Sequence, residues 1–262
     1  MRTALVSCAL ALLQFNAIAE PDTMREIRKY REMLSEGNPA DLAEERGEVI
    51  WKTPAGPKHA TLEQCDLGLG PGNLAGAYAQ LPRYFPDTDR VEDAESRLVT
   101  CITALQGLTR EQAIKDWHKR DSDLSALTTF VAARSKGAPI AVSTEHPKAF
   151  QAYAIGRELF FRRSGPLDFA CATCHSQPDR RIRLQELPDF VDNASARSSM
   201  IQWPAYRVSQ GSVWTMERRL IDCIRQMRYP EPSYLSEAII ALQVYLQKQA
   251  QDGVMEAPGI KR

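Results

Sequence analysis

Cys171 and Cys174, with His175 directly after them, constrain this 262-residue chain more than any other feature. In Cys171-Ala-Thr-Cys174-His175, two thiols three residues apart lie on one face of a helical turn, where each can add to a porphyrin vinyl group. His175 is then placed beneath the iron as its proximal ligand. The spacing predicts one covalent haem c, and a fold whose core is partly porphyrin. The competing uses are a Cys171–Cys174 disulfide or half of a zinc site, but zinc would want a second ligand pair at similar spacing.

The N-terminus agrees with an exported cytochrome. Arg2, the apolar run Ala4 to Leu13 and the small residues Ala17-Ile18-Ala19 read as a signal peptide over residues 1–19. That run is too short to span a bilayer, and no later segment is apolar enough to do so. Cys8 invites a lipoprotein reading, but almost no apolar run precedes it. The expectation is a soluble exported protein, periplasmic in a bacterium. With 33 basic and 33 acidic residues the formal net charge is zero, which removes any bulk electrostatic case for nucleic acid or anionic membranes. Without the signal, Cys65, Cys101, Cys171, Cys174 and Cys223 remain, and an oxidising compartment favours pairing. If haem takes Cys171 and Cys174, then Cys65 and Cys101 can form a disulfide and Cys223 is left alone.

The mature chain reads as one plan used twice. Gly156-Arg-Glu-Leu-Phe160 precedes the haem motif, and Gly47-Glu-Val-Ile-Trp51 stands a similar distance before Cys65. In small cytochromes such a glycine lets the first and last helices cross closely. Each half also ends in an apolar helix, Leu124 to Arg134 and Leu235 to Gln247. Ser135-Lys-Gly-Ala-Pro139, continuing to His146-Pro147, reads as a helix stop followed by an extended link. Strand-like alternation is scarce. The expected fold is therefore all-α: two cytochrome c-like domains, 20–143 without haem and 144–262 with it. Cys65 is followed by Asp66-Leu-Gly-Leu-Gly, with no second cysteine and no histidine, so the first half cannot attach a haem in the same way.

The sixth iron ligand is open at this point. Met200, Met216 and Met227 all follow the motif, and methionine is the usual partner in electron carriers. Cys223 competes from the helical stretch Trp214 to Arg228. Arg219 lies four residues before it, so both side chains share a helix face. A guanidinium there would favour the thiolate and lower the cysteine pKa, and it could hold a small oxyanion. Arg218, Arg225 and Arg228 add positive charge. The alternative is Cys223 as a buried hydrophobe, with the arginines solvated or on haem propionates. His59, His118 and His146 are expected to be structural or solvated.

Cys171-Ala-Thr-Cys-His and Arg219-Leu-Ile-Asp-Cys-Ile-Arg-Gln-Met-Arg228 together resemble the SoxA family of thiosulfate-oxidising cytochromes. The haem motif is generic, whereas the arginine-rich cysteine stretch is much more specific, and the likeness extends to Glu63-Gln-Cys-Asp-Leu-Gly. The resemblance implies haem on Cys171 and Cys174, with His175 and Cys223 as axial ligands. It further implies a persulfide on Cys223 and substrate binding by Arg219. Many members carry a second CxxCH in the first domain; this chain departs there and resembles the single-haem branch, in which Cys65 and Cys101 would pair. The implied activity is that of an L-cysteine S-thiosulfotransferase, which oxidatively joins thiosulfate to a cysteine of the carrier SoxYZ while bound to the cytochrome SoxX. A plain electron carrier with His/Met ligation is the rival.

Overall fold

Two helix crossings at glycine organise the polypeptide. Helix α1 (Ala40–Lys52) crosses α4 (Asp123–Ala133), and α5 (Pro147–Phe161) crosses α9 (Glu237–Gln249). A methyl group on Gly47 would fall inside the van der Waals shell of the Ala126 carbonyl oxygen, and one on Gly156 would do the same at Ala241. Only glycine permits backbones to approach so closely. One turn further along each helix an aromatic pair closes the joint: Trp51 against Phe130, ring centroids 5.9 Å apart, and Phe160 against Tyr245 at 5.0 Å. Both crossings thus have glycine over alanine, then aromatic over aromatic four residues on.

The computed structural model describes residues 37–120, 122–182 and 185–261, with isolated positions 25–26, 29–30 and 33, which are helical. The expected signal peptide lies outside the described residues.

Between α1 and α4, a two-stranded antiparallel ribbon pairs β1 (Arg83–Phe85) with β2 (Arg90–Glu92), followed by α2 (Ala94–Cys101). Asp93 and Ser96 form a reciprocal capping box that satisfies the first amides of α2. Cys101 at its end is joined to Cys65, Cα–Cα 5.4 Å, closing a separation of 36 residues. A short α3 (Arg110–Ile114) leads on to α4. The stretch after α4 is a helix stop and then extended chain, as its Gly and Pro suggest: Gly137 adopts φ 85°. It is pinned rather than loose. Ile140 N–H donates to Gly253 O (2.8 Å) and Met255 N–H to Ala138 O (2.9 Å).

The second half continues with α6 (Cys171–His175), a small ribbon β3 (Arg181–Ile182) and β4 (Gln185–Glu186), and α7 (Asn193–Met200). A three-stranded sheet then orders β6 (Ser212–Trp214), β5 (Ala205–Arg207) and β7 (Gly259–Lys261), with α8 (Met216–Gln226) leaving from β6. These three sheets depart from the all-α expectation. Strands of two or three residues are too short to print an alternation in the sequence.

Buried polar contacts join the halves. Gln243 Nε2, on α9, donates to Asp93 Oδ2 (2.6 Å) and to Glu217 Oε1 (3.3 Å). Glu217 also accepts from Leu235 N–H, and Tyr234 Oη donates to Glu95 Oε1. Gly37–Arg262 is one compact unit, within which the expected boundary at 143/144 falls.

Candidate active site

The haem-type motif folds as a five-residue helical turn. Thr173 Oγ1 accepts from the Ala170 N–H (2.9 Å), which fixes the start of α6. At its end, His175 Nδ1 lies 2.8 Å from Pro188 O, and Phe190 N–H donates to His175 O (2.8 Å). A backbone carbonyl at Nδ1 fixes the ring proton there and leaves the Nε2 lone pair available, the usual support of a metal-bound histidine. Burial lowers the His175 pKa and Arg219 acts in the same sense, against the Pro188 hydrogen bond, a direction that favours the neutral imidazole a ligand must be.

Helix α8 delivers a third sulfur, that of Cys223. Thr215 caps it by accepting from Arg218 N–H, and Met216, Glu217, Leu220 and Ile221 bury its apolar side. Cys223 lies 52 residues (223 − 171) after Cys171, yet the two thiols are near enough to act on each other electrostatically, as are Cys223 and Cys174. All three are free cysteines. Met200 and Met216, by contrast, are buried in the hydrophobic core. The structure therefore brings Cys223 to the Cys171–His175 turn. Arg219 shares the site, one turn before Cys223 on α8.

Arg219 does act to lower the Cys223 pKa, as its spacing implies. Burial is the larger influence and pushes the thiol up, and the lowering influences of Arg219 and Arg207 do not overcome it. One reason is Asp222, which itself raises the Cys223 pKa. Arg219 Nη1 donates to Asp222 Oδ2 at 3.1 Å, so part of its positive field is offset at source. Arg225 and Gln226 hold the same carboxylate. Burial likewise pushes the Cys171 thiol up, to about 12.

Arg218 is placed elsewhere, its guanidinium 4.7 Å from the Trp214 ring and donating to Lys119 O. His146 caps α5 and stacks on Tyr84, and His118 lies edge-on to Trp117. The Cys65–Cys101 bridge is buried in the first half. Sequence reasoning missed Asp222, Pro188, Trp214 and Arg207. Asp222 carried a readable signal, an i,i+3 acid beside Arg219. Arg207 reaches the site through strand pairing, which left no local pattern.

Comparison with known proteins places the chain in a family. The family model described as "SoxA/TsdA, cytochrome c domain" matches residues 46–140. L-cysteine S-thiosulfotransferase subunit SoxA of Hydrogenophilus thermoluteolus is 49% identical over 93% of this chain and 90% of its own length. A protein of the same name from Hydrogenobacter thermophilus is 32% identical over 97% of both chains. In fold, the chain is similar to the crystal structure of SoxXA from P. pantotrophus, with TM-score 0.75 and 21% identity, covering 89% of this chain and 84% of that one. With identity at this level sustained along nearly its whole length, the chain belongs to the SoxA family.

Proposed function

We propose that this protein is an L-cysteine S-thiosulfotransferase subunit that oxidatively joins thiosulfate to a cysteine of a carrier protein. The carrying observation is the convergence of Cys223 and Arg219 on the Cys171–His175 turn, in a chain 49% identical to a protein named for that activity. The family's carrier SoxYZ is the acceptor and a SoxX cytochrome the partner, in the periplasm; the likeness of fold to a SoxXA structure agrees with the cytochrome partner.

The donor set fits one haem c. Cys171 and Cys174 would hold it covalently, with His175 and Cys223 on the iron. The neutral, carbonyl-tethered His175 supports that assignment. So do Leu167, Phe169 and Ile182, large apolar side chains near the motif that are 39–49% exposed, surface that a macrocycle would cover. Haem, when bound, supplies a one-electron redox centre and the metal charge that keeps a buried sulfur anionic. The repeated glycine crossing supports two cytochrome c-like domains, 20–143 and 144–262, the first held by Cys65–Cys101 in place of porphyrin.

In the overall reaction the outer sulfur of thiosulfate and the carrier thiol sulfur form an S–S bond. The thiol loses its proton and two electrons leave, which the haem that Cys171, Cys174 and His175 would hold and the haem of the cytochrome partner would be suited to accept singly. Cys223, carrying an extra sulfur as a persulfide, is the site of sulfur exchange, and Arg219 offers charge complementary to the dianion. Replacing Cys223 by serine tests the reading. Turnover of the complex should vanish while haem remains attached, and full activity in that variant would overturn it.

A further inference from the structure

The guanidinium one turn before Cys223 is already engaged by Asp222, so another group is better placed to meet an incoming anion. Arg207 ends β5 with its Nε–H buried and without an acceptor. Among the described residues no carboxylate forms an ion pair with it. Its neighbours in charge are Arg219, Asp222 and Cys223, and burial followed by Arg219 pulls its pKa down to about 10. Trp214 is the adjoining residue, its ring centroid 5.9 Å from the Arg207 guanidinium carbon. The register pairs Ala205 with Trp214, so Arg207, two residues along β5, stands on the same face of the hairpin. The Trp214 indole Nε1–H is also buried without an acceptor, in a side chain only 5% exposed.

Two buried N–H donors left unmatched side by side, one of them cationic, are costly unless an acceptor arrives. The like charges of Arg207 and Arg219 add to that cost, and a multiply charged anion between them relieves it. We propose that Arg207 and Trp214 are additional oxyanion-holding donors of the Cys223 site, taking sulfonate oxygens of thiosulfate beside Arg219, whose charge Asp222 partly offsets. The proposal rests on the reading of Cys223 given above. Arg207 binds and orients the sulfonate; Trp214 contributes its single N–H from the wall of the hairpin. A haem propionate offers the same oxygen chemistry, and the experiment separates the two sources.

The test uses the haem-loaded complex with its cytochrome partner and carrier, comparing Arg207→Gln, Arg207→Lys and Trp214→Phe with the parent. Two quantities are measured: the thiosulfate KM against kcat, and the haem midpoint potential as a function of pH. Arg207→Gln is expected to raise KM by about ten- to a hundredfold, with kcat within about threefold. The potential and its pH dependence stay unchanged, and Arg207→Lys recovers part of the loss. Trp214→Phe, which keeps the ring and removes the donor, raises KM about fivefold or more, and it carries the test alone if Arg207→Gln does not fold. An altered potential with unaltered KM assigns Arg207 to a propionate and overturns the proposal, as does any other combination. Full activity of Cys223→Ser would defeat the underlying reading instead. An inactive Cys223→Ser beside an unaffected Arg207→Gln defeats only this one.

Discussion

Arg219 and Asp222 face each other across one turn of α8, Nη1 to Oδ2 at 3.1 Å, so the guanidinium preceding Cys223 meets the site with part of its charge offset. Asp222 also gathers Arg225 and Gln226, and its side chain is 12% exposed. Replacing Asp222 by asparagine keeps the shape and removes the charge. The thiosulfate KM should then fall by about two- to fivefold at low ionic strength. Raising the salt should shrink the difference, which steady-state kinetics at two ionic strengths would show.

The glycine crossings make a prediction about packing. In Gly47→Ala and Gly156→Ala the new methyl meets backbone carbonyl rather than a movable side chain, so the helices must part. Each substitution should destabilise the protein by about 1–3 kcal/mol or more, the range for overpacking. Thermal melts should show Tm lowered by about 2–4 °C per kcal/mol for a chain of this size.

Glu95 gives stability a particular dependence on pH. Burial pushes its pKa up to about 8, and Asp93 acts in the same sense; Tyr234, Thr215 and Arg218 oppose. Between about 4.5 and 8 the folded chain holds a proton that the unfolded chain has released. Stability should therefore fall as pH rises through that window, by at most about 1.4 kcal/mol per pH unit from this group. Glu217, shifted in the same direction by burial, adds to the slope. Urea midpoints between pH 5 and 8 should flatten in Glu95→Gln, which keeps a hydrogen-bonding partner for Tyr234.

The disulfide should be worth a substantial part of the folding free energy. A 36-residue loop corresponds to about 3–4 kcal/mol in the chain-entropy account. Cys65→Ala/Cys101→Ala should lower the denaturation midpoint by that amount. The haem spectrum should be unchanged, because both cysteines belong to the first half.

Much of this was written locally in the chain. The haem-type turn, the paired glycines and the Arg219–Cys223 spacing each depend on neighbours within a few residues, where helical periodicity fixes who meets whom. Gly47 and Gly156 even identified their aromatic companions, Trp51 and Phe160. What stayed hidden depends on contacts distant in sequence. Gln243 bridging Asp93 to Glu217 joins residues 150 and 26 apart, and no pattern in the chain foretells it. Arg207 arrives through a three-residue strand. The Cys223 pKa divides in the same way: the lowering influence of Arg219 was legible from spacing, whereas the larger effect of burial was not, because spacing reveals a neighbouring charge but not how much water the fold excludes.

The Cys65–Cys101 bridge and the three free thiols among the described residues also set a problem of biosynthesis. The first pair must be oxidised to staple its half. Under the proposed haem attachment, Cys171 and Cys174 must meet the porphyrin still reduced, although they are spaced to be oxidised against each other. One compartment has to satisfy both demands on a single polypeptide. Maturation thus becomes a matter of timing, with the order of thiol oxidation and haem delivery deciding whether a chain reaches the active form or is trapped with the wrong pair closed.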